Sequence, residues 1–210
     1  ICFVSCPGCS IGTIQGSGDL KRILCFSMLL VMLTGCGGAP ADGQTVREHF
    51  AQLTGFEAEL KILSDLGQST LEYQVEYVYN REENDTFTIT APESLAGIGG
   101  TIAGTDSASF TLQYDGLALD DAMPQRTGLT PADALFCLLN DLRTAEPAQI
   151  WTERVDGQSL LALRYEQEDA DGKVEKQVWL AEKTYQPVCA ELYADGTRVL
   201  QILVTSYRET

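Results

Sequence analysis

The chain has 210 residues, of which 30 are Asp or Glu and 14 are Lys or Arg, for a formal charge of −16. That balance excludes nucleic-acid binding, which needs clustered Lys and Arg to neutralise phosphates, and electrostatic attachment to anionic lipid. The acid is spread along the chain rather than gathered in a tail, as expected of a protein kept soluble by its own charge.

Residues 1–19 carry no export-signal pattern and begin with Ile1 rather than Met, so they read as an untranslated or artefactual leader ahead of a start at Leu20. They hold Cys2, Cys6 and Cys9 at the C-x3-C-x2-C spacing that carries an iron–sulfur cluster in radical SAM enzymes. Those enzymes need a long α/β barrel directly after the motif. Here an export signal and a strand-rich region follow, so no metal or cofactor site is assigned.

Residues 20–35 have the form of a signal peptide. Lys21 and Arg22 supply the positive region, and residues 23–33 an apolar core too short to span a bilayer as a stable helix. The core ends in Leu33-Thr34-Gly35-Cys36, which resembles the lipobox of bacterial lipoproteins. That resemblance implies cleavage between Gly35 and Cys36 and a lipid on the Cys36 thiol, holding the chain on the extracytoplasmic face of a membrane. The plainer alternative is an ordinary signal peptide in which Cys36 is incidental. Residues 36–44, rich in Gly, Ala, Pro and Asp, would be the lipidated tether.

The rest, 45–210, reads as one domain with a sizeable core. An amphipathic helix over 45–53 is predicted from Val46, Phe50 and Leu53. Period-two alternation then takes over. Phe56, Ala58, Leu60 and Ile62 share one face of a first strand, and Leu71, Tyr73, Val75, Tyr77 and Tyr79 one face of a second. Residues 86–90 give a third strand, 94–100 a turn, and 101–103 and 109–114 continue the sheet. Asp115-Gly116 is a hairpin turn into 117–119, before a polar loop over 120–128.

Thr130-Pro131 predicts a helix start, with Thr130 as N-cap and Pro131 at the first helical position. Ala134, Leu135, Phe136, Leu138, Leu139 and Leu142 make this helix apolar around most of its circumference, so it must pack on more than one side. Strands over 149–155, 159–165, 173–180, 187–193 and 198–207 follow, with further Asp-Gly turns at 156–157, 171–172 and 195–196. The sum is an α+β fold: a curved antiparallel sheet, or incomplete β-barrel, of about ten strands with covering helices.

No catalytic set emerges. His49 is the sole histidine and sits on the first helix, where a surface position suits it better than a triad. Carboxylates fall mostly on wet strand phases and in turns, so an acid pair of glycosidase type is the weaker reading. Cys137 and Cys189 allow either one disulfide or two buried thiols. Tyr73, Tyr77, Phe87, Phe110, Phe136, Leu139, Trp151 and Trp179 are the candidate lining of an apolar cavity between sheet and helix; plain core packing is the competing account.

Three segments carry a family resemblance: Phe87-Thr88-Ile89-Thr90-Ala91-Pro92-Glu93, Leu112-Gln113-Tyr114-Asp115-Gly116, and Val178-Trp179-Leu180 through Thr184, Pro187 and Ala190-Glu191. With the helix–sheet–helix layout, they resemble the LolA/LolB lipoprotein-carrier superfamily over 46–207, nearest to the anchored LolA-like lipoproteins of endospore formers, the GerS-like germination lipoproteins. The resemblance implies a non-enzymatic domain whose apolar interior receives an acyl chain or a protein segment. For the anchored group, it implies a module that binds a protein partner, such as a cell-wall amidase, in envelope, cortex or germination processes. The alternative is a carrier or acceptor of lipids or lipoproteins. An exposed apolar loop of LolB type has no clear counterpart; Leu95 to Ile102 comes nearest.

Overall fold

The computed structural model describes residues 42–65, 67, 69–103, 109–120, 126 and 128–210. The leader, the signal segment, Gly35, Cys36 and the tether up to residue 41 lie outside them, as does most of the loop expected at 120–128.

The first helix, α1 (Gly43–Gln52), starts two residues earlier than its apolar pattern suggests and takes in the last residues of the expected tether. The cause is Asp42. Its backbone is extended and its carboxylate accepts from Thr45 N–H at 2.8 Å and Thr45 Oγ1 at 2.7 Å, which satisfies an orphan donor of the first turn.

The strands are β1 (Gly55–Asp65), β2 (Thr70–Asn80), β3 (Asp85–Ala91), β4 (Gly99–Ala103), β5 (Ser109–Tyr114) and β6 (Leu117–Leu119). After α2 (Ala134–Thr144) come β7 (Gln149–Val155), β8 (Gln158–Asp169), β9 (Gly172–Ala181), β10 (Pro187–Ala194) and β11 (Thr197–Glu209). Among the described residues they form one open antiparallel sheet of eleven strands, in the order β6-β5-β4-β3-β2-β1-β11-β10-β9-β8-β7. Two meanders are therefore joined at the centre by pairing of the first strand with the last. The sheet edges are β6 and β7, and the chain between them contains α2.

Three Asp-Gly turns behave as expected. Asp115, Asp156 and Asp195 have φ of 49°, 50° and 50°, and the glycines after them are also positive, the combination a two-residue hairpin turn demands. The fourth is displaced. Asp169 pairs with Gly172, so the loop is Ala170-Asp171 and Gly172 opens β9.

Two further expectations change. The predicted turn at 94–100 ends early, because Gly99 and Gly100 already belong to β4 and pair with Thr88 and Phe87. A Cβ on Gly100 would meet the Phe87 ring at 2.5 Å, so glycine is what lets β4 approach β3 beneath that ring. The second helix begins at Ala134 rather than after Thr130. Thr130 does not cap it. Instead Thr130 donates from its N–H and its hydroxyl to Asp133, at 3.0 and 2.5 Å, while Gly128 N–H donates to the other carboxylate oxygen at 2.6 Å. Asp133 is fully buried by these bonds, which hold residues 131–133 as a turn ahead of the helix.

The core is one cluster. Alternate residues of the strands, among them Phe56, Leu60, Ile62, Val75, Tyr77, Phe87, Leu163, Val178, Leu180 and Ile202, face the apolar side chains of α2, with Val46 and Phe50 of α1 joining them. Each large apolar side chain buried this way contributes roughly 1.5–3 kcal/mol.

Candidate binding surface

The inner face of the sheet is occupied. Tyr77, Phe87, Phe110, Phe136 and Leu139, expected to line a cavity, are all buried in the shared core, with Tyr73 packed at its margin. Phe87 stacks on Phe110 at 5.8 Å, and Phe56 on Tyr77 at 6.2 Å. Tyr73, Tyr77, Phe87 and Phe110 share one face of the sheet, and Phe136 and Leu139 of α2 belong to the core packed there.

Trp151 and Trp179 do not join them. Trp151 pairs with Ala162, Ala162 with Trp179, and Trp179 with Cys189, a row one residue out of phase with Leu163, Val178 and Ala190 of the core. Because side chains alternate, a one-residue offset puts the whole row on the outer face. There the indoles meet edge-on at 6.5 Å, and Trp179 Nε1 donates to Glu153 at 2.8 Å. Cys189 shares that outer row, whereas Cys137 lies on α2 at the inner face, so the sheet separates the thiols and both are free. Burial pushes the Cys137 thiol up to about 12 and the Cys189 thiol up to about 11.

Two polar attachments hold α2 across the sheet. On one side, Lys176 of β9 sits among inner-face residues, 6% exposed, with Nζ 2.5 Å from Asp141 Oδ2. On the other, Arg143 Nη1 donates to the Tyr79 hydroxyl of β2 at 2.8 Å, and its guanidinium lies 5.3 Å from the centre of that ring. β9 and β2 are separated in the sheet by β10, β11 and β1. In a flat sheet that span is roughly 19 Å. One helix thus bridges strands from both halves of the sheet.

Beside Arg143 a cleft of about 380 Å³ opens between α2 and the β2–β3 hairpin, lined by Tyr79, Arg81, Asp85, Ile102, Phe136 and Asn140 among others. Asp85 lies in phase with Phe87 and Ile89 and is 4% exposed. It accepts from the Tyr77 hydroxyl at 2.6 Å and from Asn80 N–H at 3.3 Å. Burial raises the Asp85 carboxyl above the usual range, against the opposing pull of those hydrogen bonds and of Arg143. Burial likewise holds the Tyr77 phenol well above its ordinary value. Asn140 Oδ1 is buried without a partner. His49, half-buried on α1, meets the Phe50 ring edge-on at 5.1 Å and the Tyr185 ring at a tilt at 5.2 Å. Among the described residues no group of three His, Cys, Asp or Glu could hold a metal ion, and no helix is long and apolar enough to cross a membrane.

Apolar surface remains exposed at the β5–β6 edge. Tyr114, Leu117 and Leu119 are 53%, 75% and 63% exposed. They lie in phase with Phe110 and Leu112, so they continue the inner face beyond the part covered by α2. The hairpin is legible in the sequence and the exposure is not, since nothing local says where the covering helix stops. Lys176 and Asp85 did leave a signal: each is a charged residue on the apolar phase of its strand.

No protein-family model matches the chain, and no curated protein does. Solved structures do. An outer membrane lipoprotein-sorting protein domain from Vibrio parahaemolyticus is 12% identical with a TM-score of 0.47, covering 80% of this chain and 91% of that one. A LolA-superfamily protein from Nitrosomonas europaea is 14% identical with a TM-score of 0.43, over 81% and 94%. The structure of the CwlD amidase from Clostridioides difficile in complex with the GerS lipoprotein matches at 10% identity and a TM-score of 0.34, over 94% and 96%. Among the described residues the chain itself is an open antiparallel sheet packed against α2, with α1 joining the same core.

Proposed function

We propose that this chain is a membrane-anchored, non-catalytic lipoprotein whose LolA-like domain binds a protein partner at the cell envelope. One observation carries the binding role: the concave face, where a carrier would house an acyl chain, is filled by α2 and tied to it from both sides by Lys176–Asp141 and Arg143–Tyr79. Anchorage rests on the sequence from Lys21 to Cys36, and it suits a domain that works in place rather than one that shuttles. The sequence resemblance makes cortex or germination chemistry the setting and a cell-wall amidase the first partner to test.

A second reading, a carrier or acceptor of lipids or lipoproteins, is favoured by the cleft that reaches Ile102 and Phe136 beside Arg143. It requires α2 to move out.

Three measurements on the full chain separate these readings. Labelling cells with an alkyne fatty acid should mark the wild type and not Cys36→Ser. Native mass spectrometry of the purified chain should show no further, non-covalent lipid. In-cell cross-linking should capture a specific protein. A stoichiometric non-covalent lipid with no captured protein overturns the binding-module reading in favour of the carrier.

A further inference from the structure

At the β6 edge two kinds of unsatisfied group lie together. Among the described residues β6 is an outermost strand, with no neighbouring strand on one side of its backbone. The Asp115-Gly116 turn closes on the Tyr114–Leu117 pair. A two-residue turn closes on a hydrogen-bonded pair, and such pairs alternate along an antiparallel ladder. Ala118, opposite Gln113, therefore points its N–H and C=O away from β5. On either side of it stand the exposed Leu117 and Leu119. An open backbone edge beside an apolar surface is what an added strand uses: main-chain hydrogen bonds for affinity and side-chain contacts for choice of partner.

The opposite edge differs. Thr152, Glu153 and Arg154 of β7 are exposed, and charged side chains of that kind discourage pairing.

Charge identifies the occupant. In a second copy, β6 would pair with β6 about Ala118, setting Leu117 against Leu119. It would also gather the exposed Asp115 and Asp120 of both copies, on chains that each carry −16. Like charges brought opposite one another are destabilising. The same acids attract Lys or Arg. We infer that β6 is the docking edge for an extended segment of the protein partner in which apolar and basic residues alternate, and that this segment adds to the sheet as a further strand. The inference rests on the partner-binding reading above and gives it a location and a chemistry.

The test uses the full chain and a fluorescent octapeptide of alternating Val and Lys, with a Val and Glu counterpart. Ala118→Pro removes the outward N–H at an edge position that tolerates proline. Leu117→Asp changes an exposed side chain and leaves the backbone able to pair, so it serves as the second variant should proline disturb the hairpin. The wild type should bind the Lys peptide about tenfold more tightly than the Glu peptide, and either variant should lose about tenfold. Equal binding of the two peptides, or undiminished binding by Leu117→Asp, overturns the inference. So does a wild-type dimer that Leu117→Asp converts to monomer, since a second copy would then be the occupant. In cells, a protein cross-linked equally to wild type and Leu117→Asp overturns the edge while leaving the binding module standing. If the wild type captures nothing, the module reading fails and the peptide result alone judges the edge.

Discussion

Replacing Lys176 by Met asks whether α2 is fixed to the sheet. Met keeps most of the volume of the stem but leaves the Asp141 carboxylate facing β9 with no cation at 2.5 Å. Removing one member of a buried pair costs roughly 3–5 kcal/mol. The Asp141 side chain keeps 20% exposure, so water takes up part of the loss and the lower end, about 3 kcal/mol, applies. For a domain of this size each kcal/mol lowers Tm by about 2–4 °C, which gives roughly 6–12 °C. The double variant Lys176→Met/Asp141→Leu removes both charges and both desolvation costs, and should recover most of that loss. Urea unfolding of wild type, both single variants and the double variant measures this, with midpoints moving at constant m. A coupling energy below about 0.5 kcal/mol would refute the attachment and reopen the carrier reading.

Asp85→Asn should alter pH dependence. The folded carboxyl titrates above its unfolded value because burial disfavours the charge, so its contribution is greatest below the unfolded pKa and declines as pH rises through the folded one. Wild-type stability relative to Asp85→Asn should accordingly fall as pH rises through and above the ordinary carboxylate range, read by urea midpoints; a difference flat in pH contradicts this. Alkylation with peptide mapping at pH 8 should leave Cys137 and Cys189 nearly unmodified in the native chain, since thiolate fractions there are about 10⁻⁴ and 10⁻³. Rapid native labelling of either, or a recovered 137–189 disulfide, would show the faces assigned incorrectly. Gly100→Ala should cost about 1–3 kcal/mol by pressing on the Phe87 ring, measured by thermal unfolding; an unchanged Tm would mean that β4 gives way freely.

Much of the fold was legible because its signals are local. Alternation in β1, β2 and β9, the Asp-Gly turns and the apolar circumference of α2 each follow from a few neighbouring residues. What was not legible depends on register and on distant partners. Trp151 and Trp179 have the spacing of core aromatics, yet their phase places them outside, and phase is settled only by the pairing of β7, β8 and β9. The central β1–β11 pairing joins residues such as Ile62 and Ile202 with no local trace. Asp133 is the acceptor that ties Gly128 and Thr130, a role that only the folded turn reveals. Lys176 could have been found: within Val174, Lys176, Val178 and Leu180 it breaks an apolar phase, and a charge there demands a partner.

That partner is also what weighs against a carrier. A buried ion pair adds little net stability over apolar side chains of similar size, so Lys176–Asp141 is better understood as fixing where α2 lies. Moving the helix aside would strand those charges and expose Leu138, Leu139 and Leu142, each worth roughly 1.5–3 kcal/mol. The total exceeds about 5 kcal/mol, a large share of the 5–15 kcal/mol that holds an ordinary domain together. A ligand passing deeper than the cleft beside Arg143 would have to supply that energy. A segment adding to β6 meets no such barrier, because Leu117, Leu119 and the outward backbone of Ala118 are already exposed. The filled interior thus favours the proposed edge over the inner face as the place where a partner binds at low cost.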